Sequence, residues 1–488
     1  MTTNTIHHKS QPASLYTLSF AEGWDRFSYY GIQAWLVLYA TQMLLFSDKQ
    51  AYELYGAFTA LAFAMPVIGG LLADRLLGFR HAVIVGAILI TIGNILLIFP
   101  GIEYLFLGLA SMVTGIGLFK PNNANLIGVL YHNDDPRRDA GFSILYIAMN
   151  IGALLAPLVY GYTVRHHGWH YGFAISAVGM LLALGVFFYK ERNNEAHVNH
   201  QAGKLTKKVL SFITVRHIFY FSILVSILIF ALLMQYTHLF GNLLTAVGII
   251  TLLGLLLYSF KLTMPERKRL LGLTILCFFC IFFFACSLQI FTSLTLFIER
   301  EVNRNLFGIE LPTMAFLALE PFFIVVAGPV LAFLWTRLAE RKKDPSPGLK
   351  VSLGLLLAGL SFAIYALAAN NTEHAYMAIA YIVIANFMLA VGELCISPVV
   401  IAAITHLAPV QMRGTMMGVF FLAIAYSGYL AGAIANLMRA EHLENASDIA
   451  LAVSYSNSLR EVCYITITIA CVLFVINPLL KRLLQAKI

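Results

Sequence analysis

Residues 22–30 read Glu22-Gly23-Trp24-Asp25-Arg26-Phe27-Ser28-Tyr29-Tyr30, inside an apolar run from about Leu15 to Leu45. Such a run can cross a bilayer as a helix, because the hydrocarbon core is spanned by about 20 residues. Glu22, Asp25 and Arg26 are spaced i, i+3, i+4, so all three project from one helix face. A charge at membrane depth costs about 3 kcal/mol or more. Such groups persist by facing a bundle interior or a wet cavity and by pairing with one another. A bare Glu22–Arg26 pair would only stabilise the helix. Two carboxylates beside an arginine form, in addition, a set that can take up and release a proton.

Working outward, apolar runs of spanning length recur near 15–45, 53–74, 81–99, 104–130, 141–164 and 169–189. Two follow near 215–236 and 239–260. Six more lie near 270–298, 313–336, 350–369, 376–404, 413–437 and 458–480. Six, two and six runs divide the chain into 1–190, a linker with two additional helices over 191–269, and 270–488. With only 11% charged residues and a mean hydropathy of +0.80, this is the composition of an all-α membrane protein. Soluble domains carry about 25% charged residues. The six cysteines lie in or beside apolar runs and read as small core residues, so neither a disulfide framework nor a metal site is expected.

Lys and Arg set the orientation. With the N-terminus inside and fourteen spans, inside segments hold 24 of the 32 basic residues, outside segments six, and the membrane two, Arg26 and Lys120. Both termini are therefore expected in the cytoplasm. The net charge of +8 is a topology signal, and no nucleic-acid partner is expected. Residues 1–13 are polar and the first apolar run is long, so no cleavable signal peptide is expected.

Several runs carry buried polar groups. The fourth has Lys120-Pro121-Asn122-Asn123, and the fifth has Asn150. The first run of the last six has Gln289 and ends at Glu299-Arg300. The next has Glu320-Pro321, and the tenth core run has Gly392-Glu393 followed by Ser397-Pro398. A proline inside a run frees a carbonyl, and half-helix ends are where transporters build sites, so a break is expected at Pro398. A membrane-embedded enzyme would need a nucleophile–base pair or a metal set at membrane depth. No intramembrane histidine pair is present, and no enzymatic activity or cofactor other than a coupling proton is expected.

The loop Gly69-Gly70-Leu71-Leu72-Ala73-Asp74-Arg75-Leu76-Leu77-Gly78-Phe79-Arg80 resembles the signature of the major facilitator superfamily. The whole chain resembles its proton-dependent oligopeptide transporter (POT) family. The family's first-helix pattern, Glu-x-x-Glu-Arg-Phe-x-Tyr-Tyr, matches Glu22, Asp25, Arg26, Phe27, Tyr29 and Tyr30. Its Lys-Pro-Asn element matches Lys120, Pro121 and Asn122. Its Phe-Tyr-x-x-x-Asn-x-Gly element matches Tyr146, Asn150 and Gly152, with Leu145 in place of the Phe. Its Gly-Glu-x-x-x-Ser-Pro element matches Gly392, Glu393, Ser397 and Pro398. The chain departs from the family at Asp25 for Glu, Phe63 for a substrate-touching tyrosine, Gln33 for a gate arginine and Glu320 for Asn.

The resemblance implies a major facilitator fold of two six-helix bundles plus two extra helices. It also implies a proton-coupled symporter of small peptides in a bacterial inner membrane, acting as a monomer. The implied proton-coupling residues are Glu22, Asp25, Arg26 and Lys120. The implied substrate contacts are Tyr29, Tyr30, Lys120, Asn150, Gln289, Glu320, Glu393 and Ser397, with Gln33 and Glu299 at an outer gate. Glu393 suits a peptide's amino group, and Arg26 and Lys120 suit its carboxylate. Glu320, if not paired with a cation such as Arg300, would favour dipeptides with a basic side chain. The other reading is a proton-linked carrier of a different small polar solute or a drug.

Overall fold

The computed structural model describes residues 10–132, 135, 137–191, 214–438 and 448–485. Basic residues counted above at Lys9, Arg192, Lys204, Lys207, Lys208, Arg439 and Lys487 lie outside the described residues.

Six helices come first: α1 (Ala13–Gln42), α2 (Asp48–Leu72), α3 (Phe79–Ile98), α4 (Ile102–Val129), α5 (Arg138–His167) and α6 (Trp169–Glu191). Two follow, α7 (Val215–Gln235) and α8 (Thr237–Ser259). The last group is α9 (Met264–Ser287), α10 (Ser293–Arg300), α11 (Thr313–Phe316), α12 (Leu319–Glu340), α13 (Pro347–Ala369), α14 (Ala375–Leu407), α15 (Arg413–Leu437) and α16 (Asp448–Leu484). Among the described residues, 13 segments are long and apolar enough to cross a membrane, with α9–α10 and α11–α12 each forming one span. Helix α1, at 30 residues, is set apart from these by Glu22, Asp25 and Arg26. With α1 the spans number fourteen, and the chain is a multi-pass membrane protein.

Within the first group α1 packs on α5 and α6, and α3 packs on α4 and α6. Within the last group α13 packs on α14 and α16, α9 on α15, and α12 on α14. The two groups meet where α2 lies along α15 and where α5 meets α11 and α12. Glycines permit the closest crossings. A Cβ on Gly69 of α2 would lie 1.9 Å from the Gly117 carbonyl of α4, and one on Gly152 of α5 would lie 2.2 Å from the Gly23 carbonyl of α1. Only a residue without a side chain fits at either point.

Helices α7 and α8 stand outside this arrangement. Only 11% of the apolar stretch of α7 and 22% of that of α8 is buried, against 78% for α4. Helix α7 rests on α4 and α2, and α8 on α15 and α2. Side chains that find no protein partner face lipid at little cost when apolar, and these two helices consist almost wholly of such residues.

Breaks occur in unexpected places. Helix α14 runs unbroken through Pro398 for 33 residues, so the break expected there is absent. A proline in a membrane helix is tolerated when local adjustment re-satisfies the backbone. Discontinuities fall instead in the spans α9–α10 and α11–α12. Helix α9 ends at Ser287, a 3₁₀ turn covers Leu288–Phe291, and Thr292 leaves helical geometry at φ −125° and ψ −104° before α10 begins. The next span breaks at Leu317–Ala318, between α11 and α12, and Glu320 is the second residue of α12. A small hairpin joins the two spans, with β1 (Asn305–Leu306) antiparallel to β2 (Ile309–Glu310).

Candidate functional site

The charged face of α1 meets α4 in matched register. Glu22 and Asp25 lie three residues apart on α1, and Lys120 and Asn123 lie three apart on α4. Three residues rise about 4.5 Å, and the helices run in opposite directions, so each residue finds one partner. Asn123 Nδ2 donates to Glu22 Oε2 at 2.8 Å, and Lys120 Nζ lies 3.9 Å from Asp25 Oδ2. Arg26 Nε completes the set, 3.5 Å from Glu22 Oε1. Position 25 is wholly buried, and neither carboxyl oxygen of Asp25 accepts a hydrogen bond. The ion-pair partner of Asp25 is therefore Lys120, while Arg26 pairs with Glu22. Lys120 Nζ also sits 3.8 Å over the ring of Tyr29, a cation–π contact.

Hydrogen bonds hold α1 in this pose. Ser28 and Asn94 of α3 exchange two, at 2.8 and 3.0 Å. Asn122 donates to the carbonyls of Leu118 at 2.7 Å and Gly69 at 3.3 Å. Asn122 is thus a helix-packing residue, while Asn123 beside it touches the charge cluster.

The opposite half supplies acids. Glu320 is buried in the first turn of α12, where helix N-termini favour negative charge. Ser287 Oγ donates to its Oε1 at 2.8 Å. Glu393 stands half-buried on α14, the helix on which α12 packs. Ser397 lies one turn further along α14. Arg300 does not neutralise Glu320, because it is bound to Asp48. Tyr30 links the halves. Arg26 acts on its phenol from its own helix, Glu393 and Glu320 from the other half, and Tyr146 from α5. The Tyr30 ring meets Phe291 at 6.4 Å. Asn150, half-buried on α5, donates to the Tyr146 carbonyl at 2.8 Å.

Gln289 is not available to a substrate in this arrangement. Its Nε2 donates to the carbonyls of Ala285 (2.9 Å) and Ala431 (3.0 Å), and its Oε1 accepts from Thr292 (3.1 Å) and Ser293 (2.8 Å). A primary amide has two donors and two acceptor lone pairs, and all are used to hold the break in its span.

Gln33 and Glu299 are likewise not brought together. Gln33 Nε2 donates to the hydroxyls of Tyr29 and Tyr55, both at 3.1 Å. Glu299 takes Arg304 at 3.1 Å, the Gln42 amide at 3.3 Å and the Thr313 hydroxyl. The charged link between halves on the predicted outer side is made by other residues. Arg300 grips Asp48 bidentately at 2.7 and 2.8 Å, and Arg165 pairs with Glu310 at 3.0 Å. Phe63 packs edge-on to Tyr29 at 6.4 Å. At the opposite membrane face, Arg137 hydrogen-bonds Asp135 at 2.7 and 3.0 Å and holds its carboxyl down at about 2. The same arginine reaches the Ser10 carbonyl.

Two helical halves that oppose a buried acid–base cluster to a pair of acids define a solute carrier with the major facilitator fold. The chain belongs to the POT family, whose profile, PTR2, matches residues 80–449. It is 34% identical over 461 residues to "Peptide transporter YePEPT" of Yersinia enterocolitica, covering 89% of each chain. It is 32% identical to "Uncharacterized transporter YclF" of Bacillus subtilis, covering 97% of this chain and 95% of that one. A solved structure of peptide transporter POT in complex with sulfate superposes with a TM-score of 0.81 at 31% identity, covering 97% and 96% of the two chains.

Proposed function

We propose that the protein is a proton-coupled symporter that imports di- and tripeptides by alternating access, with a preference for dipeptides carrying a basic side chain. The single observation that carries the reading is Asp25: a wholly buried carboxyl without hydrogen bonds, facing Lys120 across 3.9 Å. Removing two charges from water is repaid only when geometry and hydrogen bonding are good. Here they are not, so a proton on Asp25 separates the pair at little cost and frees Lys120 for another anion. A peptide carboxylate is that anion, with Arg26 beside it once Glu22 is protonated. Glu393 takes the amino group, Asn150 the amide backbone, and Glu320 a cationic side chain. A ligand with opposite charges at its ends then draws the halves together. A proton moving inward through 100 mV supplies about 2.3 kcal/mol.

The family and the peptide transporters among its relatives support the substrate class. In this reading residues 1–190 and 270–488 are the moving bundles and 191–269 is a peripheral insert. The single chain is the transport unit, set in a bacterial inner membrane with both termini cytoplasmic. The test is uptake into proteoliposomes under an inward pH gradient with a panel of competing dipeptides. Accumulation of labelled Ala-Ala, suppressed more strongly by Ala-Lys than by neutral dipeptides of similar size, is expected. Indifference to every peptide, with transport of another polar solute, would overturn the reading.

A further inference from the structure

Glu22 presents its two carboxyl oxygens to different partners. Oε1 faces Arg26 Nε at 3.5 Å, and Oε2 accepts from Asn123 Nδ2 at 2.8 Å. Asn123 is wholly buried, and its amide is held in one orientation. The same Nδ2 also donates to the Leu18 carbonyl at 3.3 Å. Turning the amide over would set its oxygen against a carbonyl and a carboxylate, neither of which donates. The other charged groups at this turn are Asp25 on α1 and Lys120 on α4, paired with each other. Helices α3, α5 and α6 meet this part of α1 with Asn94, Gly152 and Gly179, none of which titrates.

A carboxylate that takes up a proton acquires two unlike oxygens. One becomes a hydroxyl, which donates, and the other stays a carbonyl, which accepts. An N–H already aimed at one oxygen favours that oxygen as the carbonyl. One ordinary hydrogen bond biases the choice about fivefold. At Glu22 the fixed N–H of Asn123 points at Oε2, which leaves Oε1 as the place for the proton.

We infer that Asn123 is a positioning residue that steers the coupling proton to Oε1 of Glu22, the oxygen facing Arg26, so that proton uptake and release of Arg26 are one event. This rests on the reading above in which protonation of Glu22 frees Arg26. The step balances: an O–H bond forms at Oε1, the carboxylate loses its negative charge, and Arg26 keeps its positive charge without its partner. A proton on Oε2 instead would leave Oε1 a carbonyl that still accepts from Arg26, and the arginine would stay. Without Asn123 the two oxygens are alike, so about half of the protons taken up would leave Arg26 held.

Transport of labelled Ala-Ala by the full-length protein in proteoliposomes tests the steering. Asn123→Leu and Asn123→Val remove the donor, two variants guarding against one that fails to fold, and Asn123→Gln keeps it. Counterflow needs no net proton movement, so it reads folding and binding, while accumulation under an inward pH gradient reads coupling. The ratio of accumulation to counterflow should fall about fivefold in the two donor-free variants, and Asn123→Gln should recover most of it. An unchanged ratio in the donor-free variants would overturn the proposal. So would an equal fall in Asn123→Gln, or loss of counterflow in both donor-free variants, because Asn123 would then only pack α4 against α1. Glu22→Gln separates this from the reading beneath it. If Glu22→Gln accumulates peptide like wild type, the coupling reading falls and the steering with it. If Glu22→Gln fails to accumulate while Asn123→Leu succeeds, the steering alone is wrong.

Discussion

Asp48→Asn should loosen the closure between the halves on the predicted outer side. Asp48 starts α2 in the first half, and Arg300 ends α10 in the second, joined by two hydrogen bonds of 2.7 and 2.8 Å. The Asp48 side chain is 9% exposed and that of Arg300 is 31% exposed. Exposed pairs contribute about 1 kcal/mol or less, and breaking a buried pair costs about 3–5 kcal/mol. Discounted for the screening that Arg300 receives, this pair contributes about 2 kcal/mol. It exists only while this side is closed, so its loss shifts the closed–open balance by the same amount, about 30-fold. Spin labels at Lys49→Cys and Ile309→Cys, with the exposed Cys471 replaced by Ser, report the separation by double electron–electron resonance. A longer-distance population should grow in Asp48→Asn, and Arg300→Gln should add nothing to it. If Asp48→Asn has no effect, or shifts the distribution as much when Arg300 is already Gln, the pair is not the lock.

Three further outcomes follow from the same geometry. Gln289→Ala leaves the Ala431 carbonyl and the hydroxyls of Thr292 and Ser293 without this partner, at about 1–3 kcal/mol for each group left unsatisfied, so thermal unfolding in detergent should begin at clearly lower temperature. Glu320→Gln should bring the inhibition constant of Ala-Lys close to that of Ala-Ala in competition uptake; an unchanged ratio would show that Glu320 does not meet the substrate side chain. Gly69→Ala must separate α2 from α4, because its Cβ would fall 1.9 Å from a backbone oxygen. Overpacking of this kind costs about 1–3 kcal/mol or more, and a sharply reduced yield of folded protein is expected, read by size-exclusion chromatography.

The membrane spans were legible because length and hydropathy mark a helix that can cross: thirteen of the fourteen runs meet that measure among the described residues, and α1 is set apart from them by its charges. The polar cluster was legible because charges at that depth are costly enough to announce themselves. Its internal wiring was not. Helical spacing puts Glu22, Asp25 and Arg26 on one face but says nothing about the antiparallel register that gives Asp25 to Lys120. Asn123 was hidden beside the motif residue Asn122, although its i, i+3 spacing from Lys120 was the available signal. The break after Ser287 carries no proline and is held by Gln289, one of whose four bonds goes to the Ala431 carbonyl, 142 residues away. Pro398, the visible breaker, leaves its helix intact. The outer lock was missed because Asp48 and Arg300 stand at span ends, where charged residues are ordinary.

The most direct test of the central claim, that the buried acids of α1 carry the coupling proton, is transport by Asp25→Asn and Glu22→Gln in proteoliposomes. Wild type should accumulate labelled dipeptide against its gradient when the outside is acidic. Both variants should lose that accumulation yet still exchange labelled for unlabelled peptide in counterflow, which needs no net proton movement. Accumulation by either variant at the wild-type level under the same pH gradient would contradict the role assigned to that residue, and by both would contradict the account.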